Sequence, residues 1–164
     1  MKMIVSWTVI IVLMYTAQTS LFTFIDYEGV SVNLMLLLTV SVAFIHGWMP
    51  GLAMGFITGL LQDLTTGNYF GVTTFSYMVI GILFGRFSTH VFREQFFFPI
   101  LSAPIAAVMH FFISIAMIFL LGYQINFIYA AQKILLPLVI FQLVFAGFVH
   151  KIVYDFNKFA KRHG

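Results

Sequence analysis

Residues 51–87 read GLAMGFITGLLQDLTTGNYFGVTTFSYMVIGILFGRF, and within them Gly51, Gly55, Gly59, Asp63, Gly67 and Gly71 recur every four residues. Gly81 and Gly85 repeat the interval further on. Residues four apart share one face of an α-helix. Gly51, Gly55 and Gly59 therefore make a strip without side chains, along which another backbone can come close. Such a strip serves either packing inside one bundle or contact with another protein's transmembrane helix, and the spacing alone suits both.

Outside this stretch the composition sets the solvent. Apolar and aromatic residues make up 62% of the 164 residues and charged residues only 8%, against about 25% charged in an ordinary soluble domain. With 21 Phe and so few charges there is no material for a polar surface, and lipid must take its place. The expected fold is all-α: a polytopic membrane protein with about six transmembrane helices in one compact bundle, a single transmembrane domain over 1–164. Apolar runs place the spans near 3–22, 32–48, 51–64, 71–87, 99–121 and 129–154, each judged against a hydrocarbon core of roughly 30 Å. His46, Trp48 and Pro50 suggest an interface and a break after the second span. The first run is too long for a signal peptide's apolar region and has no clear cleavage site, so it reads as a retained span.

Orientation follows from the cations. With six spans, Lys2, Arg86, Arg93, Lys151, Lys158, Lys161 and Arg162 fall on one side and only Lys133 on the other. The excess of positive charge marks the cytoplasmic face, so both termini are expected there. Arg86, Arg93, Lys151, Lys158, Lys161 and Arg162 are candidates for contact with anionic lipid or a partner at that inner face. Basic residues confined to chain ends and one loop argue against a nucleic-acid partner.

Asp63 lies twelve residues past Gly51, about 18 Å along a helix and short of a full crossing. A carboxylate at that depth is costly unless it faces protein or water. The third span is therefore expected to end early, with Asp63 to Gly71 dipping inward as an irregular turn. Gln62, Asp63, Thr65, Thr66, Gly67, Asn68 and Gly71 make up this outer motif. Asp63 either fixes the turn by accepting backbone N–H groups or touches a partner or ligand, with Lys133 a candidate ion-pair partner. On the scaffold reading, Gly59→Leu should do more harm than Asp63→Asn.

His110, mid-way along the fifth span, reads as a neutral imidazole bonded to a neighbouring helix, with Gln142 a candidate partner. His46 and His150 are expected at the interface. The absence of Cys removes thiolate and disulfide chemistry, and no phosphate loop, H-E-x-x-H or G-x-S-x-G motif is present. No enzyme, cofactor or metal site is expected.

The series Gly55, Gly59, Asp63, Gly67, Gly71, with Gln62 before the Asp and Tyr77 and Gly81 after it, resembles the rod shape-determining protein MreD family. That resemblance implies a non-enzymatic scaffold in the bacterial cytoplasmic (inner) membrane. It would be part of the cell-elongation complex, pairing with MreC through a transmembrane helix and linking the MreB cytoskeleton to peptidoglycan synthesis by RodA and a class B penicillin-binding protein. The competing reading is the substrate-binding membrane component of an energy-coupling-factor type vitamin transporter, with an outward cavity near Asp63, Thr65, Thr66 and Asn68. A first span holding Ala17 amid Trp7, Met14 and Tyr15 lacks the Ala-rich face such components offer their coupling partner.

Overall fold

The computed structural model describes residues 2–20, 32–66, 69–90, 97–123 and 131–163. Among them the chain forms six α-helices and no strand: α1 Lys2–Ser20, α2 Leu34–His46, α3 Trp48–Thr66, α4 Val72–His90, α5 Phe97–Leu120 and α6 Leu136–His163. A π-helical turn, Ala131–Leu135, leads into α6. Two segments, Ile100–Leu120 and Gln132–Phe156, are each long and apolar enough to cross a bilayer.

The core lies around α2. All ten residues from Leu34 to Ala43 are buried, as expected of a helix that is apolar on every side. Its thirteen residues span only about 20 Å, and α1, α3, α4, α5 and α6 all touch it. Met35, Leu36 and Leu38 of α2 meet Tyr77 and Ile80 of α4 and Val149 and Val153 of α6 in one cluster. Thr39 and Thr58 join α2 to α3 through their hydroxyls at 2.8 Å.

Trp48 and Pro50, expected to mark a break, instead form the first turn of α3. Proline is tolerated there because its missing N–H has no intrahelical acceptor to lose. The reversal is made one residue earlier, at Gly47, with φ 94° and ψ −169°. At the other end of the chain α6 runs on past the span end expected near 154, to His163, so the helix outruns the apolar segment Gln132–Phe156. Lys158, Lys161 and Arg162 lie in its final turns, where cations favour the carbonyl end of a helix. Pro137, just after the π turn, explains that turn: its ring would strike the carbonyl four residues back, and a widened turn avoids the clash.

At one end of the bundle, aromatic rings hold the helices together. Trp7 of α1 packs edge-on to His46 of α2 at 5.5 Å and to Phe156 of α6 at 5.4 Å. Beside them the Arg86 guanidinium sits 5.9 Å from the Trp48 ring centre.

Two glycines in open surroundings should respond oppositely to a methyl group. Nothing lies within 4 Å of a Cβ built on Gly47, yet its backbone occupies a region open essentially to glycine alone, so Gly47→Ala should cost about 1–3 kcal/mol. Gly147, inside α6, would meet only Ile100 Cδ1 at 3.6 Å, and Gly147→Ala should gain about 0.5–1 kcal/mol from helix propensity. Thermal unfolding of the purified protein in nanodiscs should shift down for the first variant and up for the second.

Candidate functional site

Helix α4 begins at Val72, directly after Gly71 (φ 93°). The Gly71 carbonyl accepts the first helical bond, from Phe75 N at 3.0 Å, which makes Gly71 the N-cap. Glycine has no side chain with which to satisfy the free N–H groups of the first turn. Asp63 of α3 supplies one from across the turn. Its Oδ2 accepts Gly71 N–H at 3.0 Å, Thr74 N–H at 2.9 Å and the Thr74 hydroxyl at 2.6 Å, and its Oδ1 accepts Thr73 N–H at 3.1 Å. The residue is 2% exposed. A carboxylate at a helix N-terminus also faces the positive end of the helix dipole.

The neighbouring Gln62 carries a second junction. Gln18 of α1 donates from Nε2 to Gln62 Oε1 at 2.9 Å, and its own Oε1 accepts Met35 N–H at 3.1 Å. Met35 lies in the first turn of α2, where Asn33 caps Leu36 N–H at 3.1 Å. One N-terminus is thus capped directly from α3, by Asp63, and the other from α1 by a residue that Gln62 holds. The dipeptide Gln62–Asp63 ties four helices together.

The four-residue series on α3 continues this face away from Asp63, and α4 fills it. A Cβ on Gly51 would stand 2.6 Å from the Gly81 carbonyl oxygen, and one on Gly59 2.5 Å from Thr74 Cα. One on Gly55 would meet the Tyr77 carbonyl, and one on Gly85 would lie 2.5 Å from Trp48 N. The pairs Trp48–Gly85, Gly51–Gly81, Gly55–Tyr77, Gly59–Thr74 and Asp63–Gly71 run in antiparallel order. Gly51, Gly55, Gly59, Gly81 and Gly85 are therefore helix-packing residues within the chain, and the alternative of a partner's helix in this groove has no space.

The outer motif divides. Gln62 and Asp63 turn inward. α3 continues helically past them to Thr66, because Asp63 is satisfied from across the turn and needs no local break. Thr65 is exposed and its hydroxyl donates back to Leu61 O and Gln62 O at 3.0 and 2.9 Å. Gly67 and Asn68 lie outside the described residues, as does Arg93. Arg86, Lys133, Lys151 and Lys158 are exposed, and Lys161 and Arg162 belong to the last turn of α6.

His110 does not use Gln142. Its Nδ1 lies 3.3 Å from the Ser114 hydroxyl on its own helix, and its ring packs edge-on to Tyr77 at 5.2 Å. Gln142, fully buried, donates instead to the Asn33 carbonyl at 3.1 Å and so ties α6 to the start of α2. His150 is buried at 4% exposure, where an interfacial position was expected. Gln18, Asn33 and Thr74 were not singled out from the sequence. For Gln18 the signal was present: a lone amide in an apolar span needs a partner on another helix.

These contacts rank three substitutions. Gly59→Leu forces a side chain against backbone and should cost at least the roughly 3 kcal/mol at the top of ordinary overpacking. Asp63→Ala leaves three N–H groups uncapped and should cost about 3–5 kcal/mol. Asp63→Asn keeps one acceptor oxygen but sets an NH2 against a backbone donor, which should cost about 2 kcal/mol. Asparagine is thus less benign than shape alone suggests. Denaturant unfolding at matched membrane insertion checks the order, and an Asp63→Asn protein as stable as the parent would remove the capping account.

Compared with known families, residues 1–160 match the model of rod shape-determining protein MreD. No curated protein and no solved structure gives a match. The family and the apolar helices identify a membrane protein, and the family is one of structural, shape-determining proteins. With all but the last few residues matched, the chain belongs to the rod shape-determining protein MreD family.

Proposed function

We propose that this chain is a non-enzymatic scaffold of the bacterial cell-elongation complex, spanning the cytoplasmic membrane six times with both termini inside. The observation that carries the reading is the family match over residues 1–160. In this role it contacts the transmembrane helix of MreC and, through the complex, serves RodA, a class B penicillin-binding protein and the MreB cytoskeleton. The glycine groove is closed by α4, so MreC meets an outer face of the bundle. Support for the topology comes from the end of the bundle where Trp7, His46, Trp48, Arg86 and Phe156 gather. It is the end where α4 and α6 carry their cations, as the positive-inside rule requires of a cytoplasmic face.

The solute-transporter reading loses its main support. Asp63 points its carboxylate at the backbone of α4 and is buried, so it does not line an outward cavity.

Two measurements test the proposal. Depletion should widen and round rod-shaped cells; normal shape, with growth restored by an added vitamin, would favour transport. Alkaline phosphatase fused after Gly164 should be inactive while a cytoplasmic reporter at the same place works, and active phosphatase there would mean an odd number of crossings.

A further inference from the structure

Helix α1 packs on the core through Ile10, Ile11 and Met14 and is pinned near both ends, but it leaves a gap on its side toward α6. Trp7 holds one end against His46 and Phe156, and Gln18 holds the other through Met35 and Gln62. Between these anchors lies a groove of about 340 Å³, walled by Ile10, Leu13 and Met14 of α1, floored by Leu34 of α2 and closed by Val149 and Ile152 of α6. Its lining side chains offer no donor or acceptor, so whatever occupies it must be apolar at that depth. Its apolar walls suit a hydrocarbon chain laid between α1 and α6.

Cations follow the groove's lining residues along α6. Phe148, 65% exposed, forms the lip on α6. Three residues on, beside Ile152, Lys151 is exposed and has no ion pair among the described residues. Asp155, one turn further, is exposed and does not pair with it, and Lys158 follows, also exposed. Cations outnumber acids at this end of α6, and a Lys near an anionic leaflet contributes about 1 kcal/mol.

We propose that the α1–α6 groove binds one acyl chain of an anionic phospholipid, whose headgroup phosphate is held by Lys151 with help from Lys158. The lipid fills the gap that α1 leaves and couples that helix to α6. This inference rests on the membrane topology proposed above, not on the elongation role, and it is read on the purified chain alone, so the two fail separately.

The test reconstitutes the full chain in nanodiscs of equimolar phosphatidylcholine and phosphatidylglycerol, transfers it to detergent, and weighs the retained lipid by native mass spectrometry. The parent should keep one phosphatidylglycerol in preference to phosphatidylcholine. Lys151→Gln should cut that preference about fivefold, and Ala17→Phe, at a fourth α1 residue lining the groove, should fill it and abolish retention. A readout that needs no groove variant is quenching of Trp7 by phosphatidylglycerol brominated on its acyl chain, in a Trp48→Phe background; strong quenching is expected. Equal retention of both lipids, unchanged by either variant, would mean ordinary boundary lipid and overturn the proposal. So would a co-purifying membrane polypeptide lost on Ala17→Phe while lipid retention stays intact, since the groove would then belong to a partner.

Discussion

A helix that begins in the buried interior of a bundle has N–H groups that water cannot reach, and most of this architecture answers that constraint. In a soluble protein the first turn of α4 would be capped by its own preceding side chain or by solvent. Here the preceding residue is Gly71, and the cap arrives from α3 as Asp63, with four hydrogen bonds in one place. The same problem at the start of α2 is solved by Asn33 locally and by Gln18 from α1. Because both donors of help come from other helices, satisfying the backbone and assembling the bundle are one event. A helix displaced from its neighbour would leave buried N–H groups unpaired, at about 1–3 kcal/mol each.

The cap and the glycine seam also fix each other's register. Lipid is as apolar as the helices, so burial alone does little to hold two of them together, and close packing must do it instead. Gly51, Gly55 and Gly59 let α3 and α4 touch backbone to backbone. A smooth seam of that kind resists separation but has little to stop sliding. Asp63, the next residue in the same four-residue series, engages three particular N–H groups at the seam's end. A shift of one turn would carry the carboxylate about 5.4 Å away from them. Van der Waals contact thus brings the two helices together and the carboxylate sets where they stop.

Legibility in the sequence follows the range of the interaction. The helical interval of the glycines and the single acid among them are local patterns, and the helix seam and its capped end are where those patterns lie. Partner identity is not local. Nothing about Gly51 says that its neighbour is Gly81, so the spacing alone leaves contact with another protein open beside packing inside the chain, and the fold decides for packing. Gln142 illustrates the same limit. Its need for a partner is readable, but the choice of the Asn33 carbonyl over His110 depends on which helices pack together. Helix ends are not legible where their cause lies at a distance. The α3 helix passes Asp63 without breaking because its cap demand is met by α4, and Trp48 and Pro50 open a helix because Gly47 makes the reversal. The groove beside α1 was invisible, since a gap is a property of two helices together.

These constraints divide the molecule by stiffness. Helices α2, α3 and α4 share the seam, the Thr39–Thr58 bond and the Asp63 cap, and form a centre with few ways to deform. Helix α1 is held near its two ends, and α5 and α6 turn Leu101, Ile105, Phe112, Val144 and Phe148 outward. Exposed apolar side chains in lipid cost nothing, which leaves the peripheral helices free to exchange lipid for protein. A partner helix that packs on them replaces one apolar contact with another and does not disturb the capped centre. The proposed scaffold role would need that separation, because a binding event that loosened the core would lose the geometry it is meant to impose. The polar residues are therefore concentrated where helices meet inside the bundle, and specificity toward partners has to come from shape on the periphery and from charge at the helix ends.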